Sequence, residues 1–117
     1  MTLEHDARLI REREFHNQRF DDGDDRQAQM KYYFAVDAGG QAYKTAVDKA
    51  AQGADVLEYG CGDADNYLRL APLVKSLNAI DISDRAIERL TKANTNPHIR
   101  FHVMDAMNMS FADQSFD

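Results

Sequence analysis

From Gly53 onward the chain predicts an α/β fold with a parallel sheet, and three observations carry that prediction. Short apolar runs recur at ADVLEYG, SLNAIDI and IRFHVMD, each the length of a buried strand. Segments with helical spacing of apolar residues separate them, giving strand, helix, strand, helix, strand in order. The first run closes on a glycine turn, Gly60-Cys61-Gly62, that leads into the first of those helices. Such a succession folds by right-handed crossovers that lay the helices against the sheet. Ligands of these sheets bind beyond the carboxyl ends of the strands.

The elements follow one by one. Residues 2–20 read as a polar helix, with Thr2 as N-cap and Leu3, Ala7 and Ile10 on one face. The acidic run DDGDD at 21–25 ends it; the run lacks the alternating ligands and distal glutamate of a calcium loop and reads as a solvated turn. A second helix is expected over 26–36, carrying Met30, Tyr33 and Phe34 and ended by Gly39-Gly40. A third covers 41–52, where Tyr43, Ala46, Val47 and Ala50 share a face and Gly53 forms the C-cap. After the first strand, a helix over about 65–71 is cut short by Pro72. Ser83 or Asp84 caps the next helix, whose Ala86, Ile87, Leu90 and Ala93 face inward. Asn94 to Pro97 is a loop before the third strand. The organisation is thus a helical cap segment over 1–52 and a ligand-binding domain over 53–117.

Composition sets the outer bounds. At 117 residues the chain is one domain at most, able to bury roughly two-thirds of its unfolded surface. A 44% hydrophobic and 29% charged composition excludes wholesale disorder. No apolar run approaches the ~20 residues of a membrane span, and the N-terminus has no signal-peptide core. No membrane role is expected, and a cytoplasmic location is the default. The single cysteine, Cys61, has no internal disulfide partner, in keeping with a reducing compartment. A net charge of −6, from 14 basic and 20 acidic residues, counts against nucleic acid as the main partner.

Each strand ends at a residue able to recognise part of a ligand. Gly60 and Gly62 remove side chains where backbone must turn tightly and a ligand can approach. Asp81 ends the second strand, 21 residues after Gly60, where a carboxylate can accept from both hydroxyls of a ribose. Asp105 ends the third; it can accept from the exocyclic amine of adenine while the Ala106 N–H donates to a ring nitrogen. Together they point to an adenosine-containing ligand with no metal requirement. NAD would seat its pyrophosphate on G-x-G-x-x-G, but the third glycine position here is Asp65, with Asp63 nearby. Two acids at a helix N-terminus suit the macrodipole and repel a pyrophosphate. S-adenosylmethionine carries no phosphate, and its ammonium and sulfonium tolerate carboxylates such as Glu58 and Asp63. The charge pattern favours the sulfonium cofactor.

With those residues in view, VLEYGCGDA resembles the first motif of the class I S-adenosylmethionine-dependent methyltransferases of small-molecule type. AIDIS resembles their second-strand motif, and FHVMDAMNMSFADQSFD their third-strand motif with its loop. The similarity covers about residues 54–117 and implies a Rossmann-like fold with S-adenosyl-L-methionine as cofactor. It implies that Gly60 and Gly62 pack against the methionine part and that Glu58 helps to set its ammonium. It further implies that Asp81 holds the ribose, Ile82 covers an adenine face, and Asp105 with the Ala106 backbone reads the adenine edge. The preceding helices resemble the family's variable substrate cap; Tyr32, Tyr33 and Phe34 suit helix-face packing better than cap lining. Two departures stand out. Ala64 replaces a frequent third glycine, harmlessly if that position opens a helix, as Asp65 and Asn66 suggest. Family members also continue past an SFD-like sequence into a fourth strand beside the first. The chain is therefore expected to be the N-terminal fragment of such a fold, with about three strands. Its open first-strand edge would pair with another chain, giving self-association, or leave it poorly stable.

Methyl transfer is an in-line displacement in which the protein mainly supplies proximity and orientation. A general base is needed only if the acceptor must lose a proton. Among His5, His16, His98 and His102, His16 is the best base candidate, being on the N-terminal helix; packing or surface roles compete for all four, and no catalytic residue is assigned. Three functions follow: a methyltransferase acting on a small molecule, a non-catalytic module binding S-adenosylmethionine or S-adenosylhomocysteine, and, least favoured, an NAD-dependent oxidoreductase fragment.

Overall fold

The computed structural model describes residues 3–22 and 30–117, with side chains for 4–19, 21 and 39–117. Two long helices, α1 (Leu3–Asp22) and α2 (Met30–Ala51), precede β1 (Asp55–Tyr59), α3 (Asn66–Leu70), β2 (Ser76–Asp81), α4 (Asp84–Ala93) and β3 (Ile99–Val103). The strands form one parallel sheet in the order β1-β2-β3. The register aligns Val56 with Leu77 and Leu77 with Ile99, and Glu58 with Ala79 and Ala79 with Phe101. Aligned parallel neighbours point to one face, so these two rows form a continuous floor.

The floor is covered by α3 and α4. Tyr67, Leu70, Ile87 and Leu90 close over Leu77, Ala79 and Ile99 in one buried cluster. Tyr67 meets Phe101 edge to face with ring centres 5.1 Å apart. That geometry matches the ring quadrupoles. On the opposite face, Tyr59, Ile80 and His102 align. His102 Nε2 lies 2.8 Å from Asn78 Oδ1; Phe111 meets the His102 ring edge to face, and Phe116 meets Phe111 in the same way. The outer edge of β1 is met at one point: the Asp117 N–H donates to Asp55 O at 2.9 Å, and the Asp55 N–H to Asp117 Oδ2 at 2.8 Å.

The expected strands and crossover helices match this order closely, and the helical region differs in instructive ways. The expected break at Gly39-Gly40 does not occur: α2 runs unbroken from Met30 to Ala51. Glycine disfavours a helix interior by only about 1 kcal/mol, and an alanine-rich flank without proline overrides that. Within it, Tyr43, Ala46 and Ala50 of the expected face are exposed; of that face Val47 is half-buried, and Ala51 beside it is buried. Residues 23–29, and hence most of the DDGDD turn and the start of the expected 26–36 helix, lie outside the described residues, as do Thr2 and the side chains of Met30, Tyr32, Tyr33 and Phe34. Ala93 is exposed instead of inward. Gly53 does sit at φ +66°, as a helix-ending glycine should.

The face that α1 buries is the larger surprise. Ala7 and Ile10 point to solvent, while His5, Arg8, Leu9, Glu12, Arg13, His16 and Asn17 are half-buried. The polar side docks because fixed polar partners wait for it at the strand ends. Arg13 Nε donates to Ile82 O at 2.7 Å, and Asn17 Nδ2 to Asp84 Oδ1 at 2.6 Å. Asp21 pairs with Arg85 and Arg89.

Candidate functional site

The three strand ends and α1 enclose a cavity of about 420 Å³. Its sheet side is built by Gly60, Cys61 and Gly62 after β1, Asp81 and Ile82 after β2, and Met104 to Met107 after β3. Its other wall is α1, through Arg8, Glu12, His16 and Arg19. Parallel strands aim their carboxyl ends in one direction, which is why residues so far apart in sequence meet here.

The glycine turn depends on its glycines. Gly60 and Gly62 adopt φ +67° and +58°, a left-handed conformation costing other residues about 1–2 kcal/mol. A side chain at Gly60 would meet nothing within 4 Å, so conformation, together with the space left for a ligand, explains that glycine. Ala64 is not in the left-handed region; Gln114 alone among described non-glycine residues is. The absent third glycine is therefore no loss of geometry. Asp81 organises the turn: its Oδ2 accepts from the Gly62 N–H and its Oδ1 from the Ser83 N–H, both at 2.8 Å. A carboxylate has about four acceptor positions, so lone pairs remain for a ligand. Ser83 is fully buried and caps α4 by accepting from the Ala86 N–H at 3.1 Å.

Asp105 is held on both oxygens. The Met107 N–H donates to Oδ1 at 3.0 Å, and His5 Nε2 lies 3.0 Å from Oδ2. The Met107 hydrogen bond, then His5 and Arg8, hold this carboxyl below its ordinary range against a desolvation penalty. It stays an acceptor at neutral pH. Burial pushes the Cys61 thiol up to about 12, helped by the charges of Asp81 and Glu58. A thiol so hard to ionise is no nucleophile.

The cavity thus gathers Gly60, Gly62, Asp81, Ile82, Asp105 and Ala106. Glu58 is placed elsewhere. Its side chain lies on the helix-covered face with Tyr43, Val47 and Asn66 around a neighbouring cavity. Burial raises its pKa, partly offset by a hydrogen bond from Asn66 Nδ2 to Oε1 at 3.5 Å. The expected convergence of three acids is met by two, because alternation along β1 turns Glu58 toward α3. Among the histidines, His16 lines the cavity, whereas His98 bonds to Ala71 O at 2.8 Å and packs. The α1 wall was not foreseen: Arg8, Glu12 and Arg19 recur with His5 and His16 at helical spacing, a stripe that resembles an ordinary solvated face in sequence.

What the fold and the cavity define is an α/β protein with a Rossmann-like sheet and a cavity at its strand ends: acceptor carboxylates at two of them and a glycine-flanked turn at the third. The family described as the methyltransferase domain matches residues 56–117, more than half of the chain, and the chain belongs to it. Solved structures with the same fold include the N-methyltransferase NodS from Bradyrhizobium japonicum WM9 in complex with S-adenosyl-L-homocysteine. It is 28% identical, with TM-score 0.54 over 68% of this chain and 40% of that one. The YcgJ protein of Bacillus subtilis is 24% identical, with TM-score 0.56 over 62% of this chain and 34% of that one. The plantazolicin methyltransferase BpumL, solved with a monoazolic desmethyl analogue and SAH, is 22% identical, with TM-score 0.52 over 97% of this chain and 47% of that one. The chain spans less than half the length of each of these structures. No curated protein sequence matches it.

Proposed function

We propose that this chain is the cofactor-binding part of an S-adenosyl-L-methionine-dependent methyltransferase, with residues 53–117 holding the donor and residues 1–52 forming a cap on the acceptor side. The observation that carries the reading is the meeting of Gly60, Gly62, Asp81, Ile82, Asp105 and Ala106 on one cavity. The donor set suits the cofactor. Asp81 retains acceptor capacity for ribose hydroxyls, and Asp105 is an ionised acceptor suited to an adenine amine. Asp63 and Asp65 beside the turn favour a cationic sulfur over a pyrophosphate. In this reading Glu58 acts on the ammonium from behind the turn, through Asn66 or water, since its carboxylate is outside the cavity. When bound, the donor supplies an activated methyl group; the chain's residues orient it and exclude water.

The acceptor in this reading is a small molecule approaching beneath α1, with His16 as the base where one is required. The −6 net charge supports a metabolite over a nucleic acid. Self-association belongs to the same proposal: β1 is an edge strand among the described residues, and Asp117 meets only its Asp55 end. Calorimetry with S-adenosylhomocysteine and with NAD tests the cofactor. Binding of the first and not the second is expected, and the reverse would end the reading. A radiolabelled methyl-transfer screen then separates an enzyme from a binding module, and size-exclusion chromatography at rising concentration tests the open edge.

A further inference from the structure

His5 and Asp105 stand 100 positions apart in sequence, yet their side chains meet at 3.0 Å with only 18% and 12% of their surfaces exposed. We propose that His5 is a positioning residue for donor recognition, fixing the Asp105 carboxylate so that the site selects a 6-amino purine over a 6-oxo purine. The inference rests on the S-adenosylmethionine reading above and concerns α1, to which that reading gives only a capping role.

The argument is geometric. A free aspartate side chain turns about two torsions, and a ligand that needs one orientation must pay for freezing it. Here each oxygen is already held by a different element: Oδ1 by the Met107 N–H of the following loop, Oδ2 by His5 of α1. Asp105 lines the cavity that Gly60 and Gly62 also line. The lone pairs left over are acceptors only. An adenine amine donates to such a group, whereas the carbonyl of hypoxanthine presents a second acceptor and is repelled. Fixing the carboxylate therefore sharpens a distinction that a mobile one would blur. His5 is itself set by the docking of α1, since Arg13 and Asn17 anchor that helix to Ile82 and Asp84. Arg8, one turn along, adds a positive charge near the carboxylate and touches Met107 Sδ at 3.5 Å. Selection of the base and seating of the cap are in this way one event.

The test is calorimetry on the 117-residue chain with two probes, S-adenosylhomocysteine and S-inosylhomocysteine. Wild type, His5→Ala and His5→Gln are compared. The expected result is that His5→Ala weakens the adenosyl probe about tenfold, of the order of losing one hydrogen bond to a charged group, with little change for the inosyl probe. His5→Gln, whose amide can still donate to Oδ2, restores most of the preference. A purely structural role would weaken both probes equally and leave the ratio alone; that outcome, or tighter adenosyl binding by His5→Ala, overturns the inference while leaving the cofactor reading intact. Failure of wild type to bind S-adenosylhomocysteine overturns both. Thermal unfolding of each variant shows whether a loss of both affinities is a loss of fold, and Asp105→Asn, which can keep the Met107 N–H on its one oxygen but sets a donor where Oδ2 accepted, must then reduce the ratio in a folded protein.

Discussion

The sheet with α3 and α4 and the docked helix α1 are held by different physics. Beneath α3 and α4, Leu77 and Ala79 are 0% exposed and the cluster around them is apolar. Under α1 there is Arg13 on a carbonyl, Asn17 on Asp84 and Ser83, His5 on Asp105, and Asp21 between two arginines. Apolar burial stabilises by roughly 1.5–3 kcal/mol for each large side chain, whereas the exposed Asp21 ion pairs add about 0–1 kcal/mol each and the part-buried bonds to charged groups about 1.5–3. The sheet is thus held by apolar burial, and α1 by polar and charged contacts that water can compete for.

The sharpest way to break the contrast is to damage the floor. Leu77→Ala opens a cavity in the middle strand and should cost about 2–5 kcal/mol in denaturant titration, taking S-adenosylhomocysteine binding with it. Next comes the joint between floor and site. Asp81→Ala strips the acceptors from the Gly62 and Ser83 N–H groups and should cost about 1–3 kcal/mol of stability. It should also weaken S-adenosylhomocysteine at least about tenfold, which stability loss alone does not produce in the protein that remains folded.

How much of this could be read from residues alone follows the same division. β1, β2, β3 and α4 were legible because apolar periodicity and the caps at Gly53 and Ser83 are local signals. Gly60, Gly62, Asp81 and Asp105 were legible because position at a strand end decides their meeting place. The α1 contacts were not. Ala7 and Ile10 form the more apolar side, and a hydrophobic stripe ordinarily predicts the buried face. What reversed it was a set of partners more than sixty residues away, Ile82, Ser83, Asp84 and Asp105, whose positions only the folded sheet supplies. The place of Glu58 has a related reason: strand alternation sets it on the face under α3, beside a neighbouring cavity. The continuous α2 shows that two glycines are a weak stop when nothing else disfavours the helix.

A smaller effect separates cap from floor directly. Asn17 accepts from Ser83 Oγ and donates to Asp84 Oδ1, so Asn17→Ala removes two bonds at once. Global unfolding should shift by about 1 kcal/mol, since water replaces Asn17 at the exposed Asp84 and can enter the space its side chain leaves beside Ser83. Hydrogen exchange should instead show α1 amides losing protection while those of β2 keep theirs. Equal loss in both would mean that cap and sheet open as one unit.

The smallest effect has opposite signs in the two regions. Asp105 and Asp84, the two carboxylates that receive α1, both have lowered pKa values, Asp105 chiefly through the Met107 N–H and Asp84 chiefly through Asn17. A lowered carboxyl contributes stability that is complete above its ordinary value, 3.8, and is lost as pH falls through the folded value. Glu58, under α3, is raised by burial. Its charged form therefore weighs against the fold at high pH, and that cost disappears as pH falls toward and below 4.5. Acidification from neutrality should first firm the sheet slightly, then release α1 below 3.8. Thermal unfolding followed by near-ultraviolet dichroism, with α1 protection read by exchange at each pH, measures both. Glu58→Gln should abolish the first change and spare the second, because among the described residues its hydrogen bond is to Asn66 and not to α1.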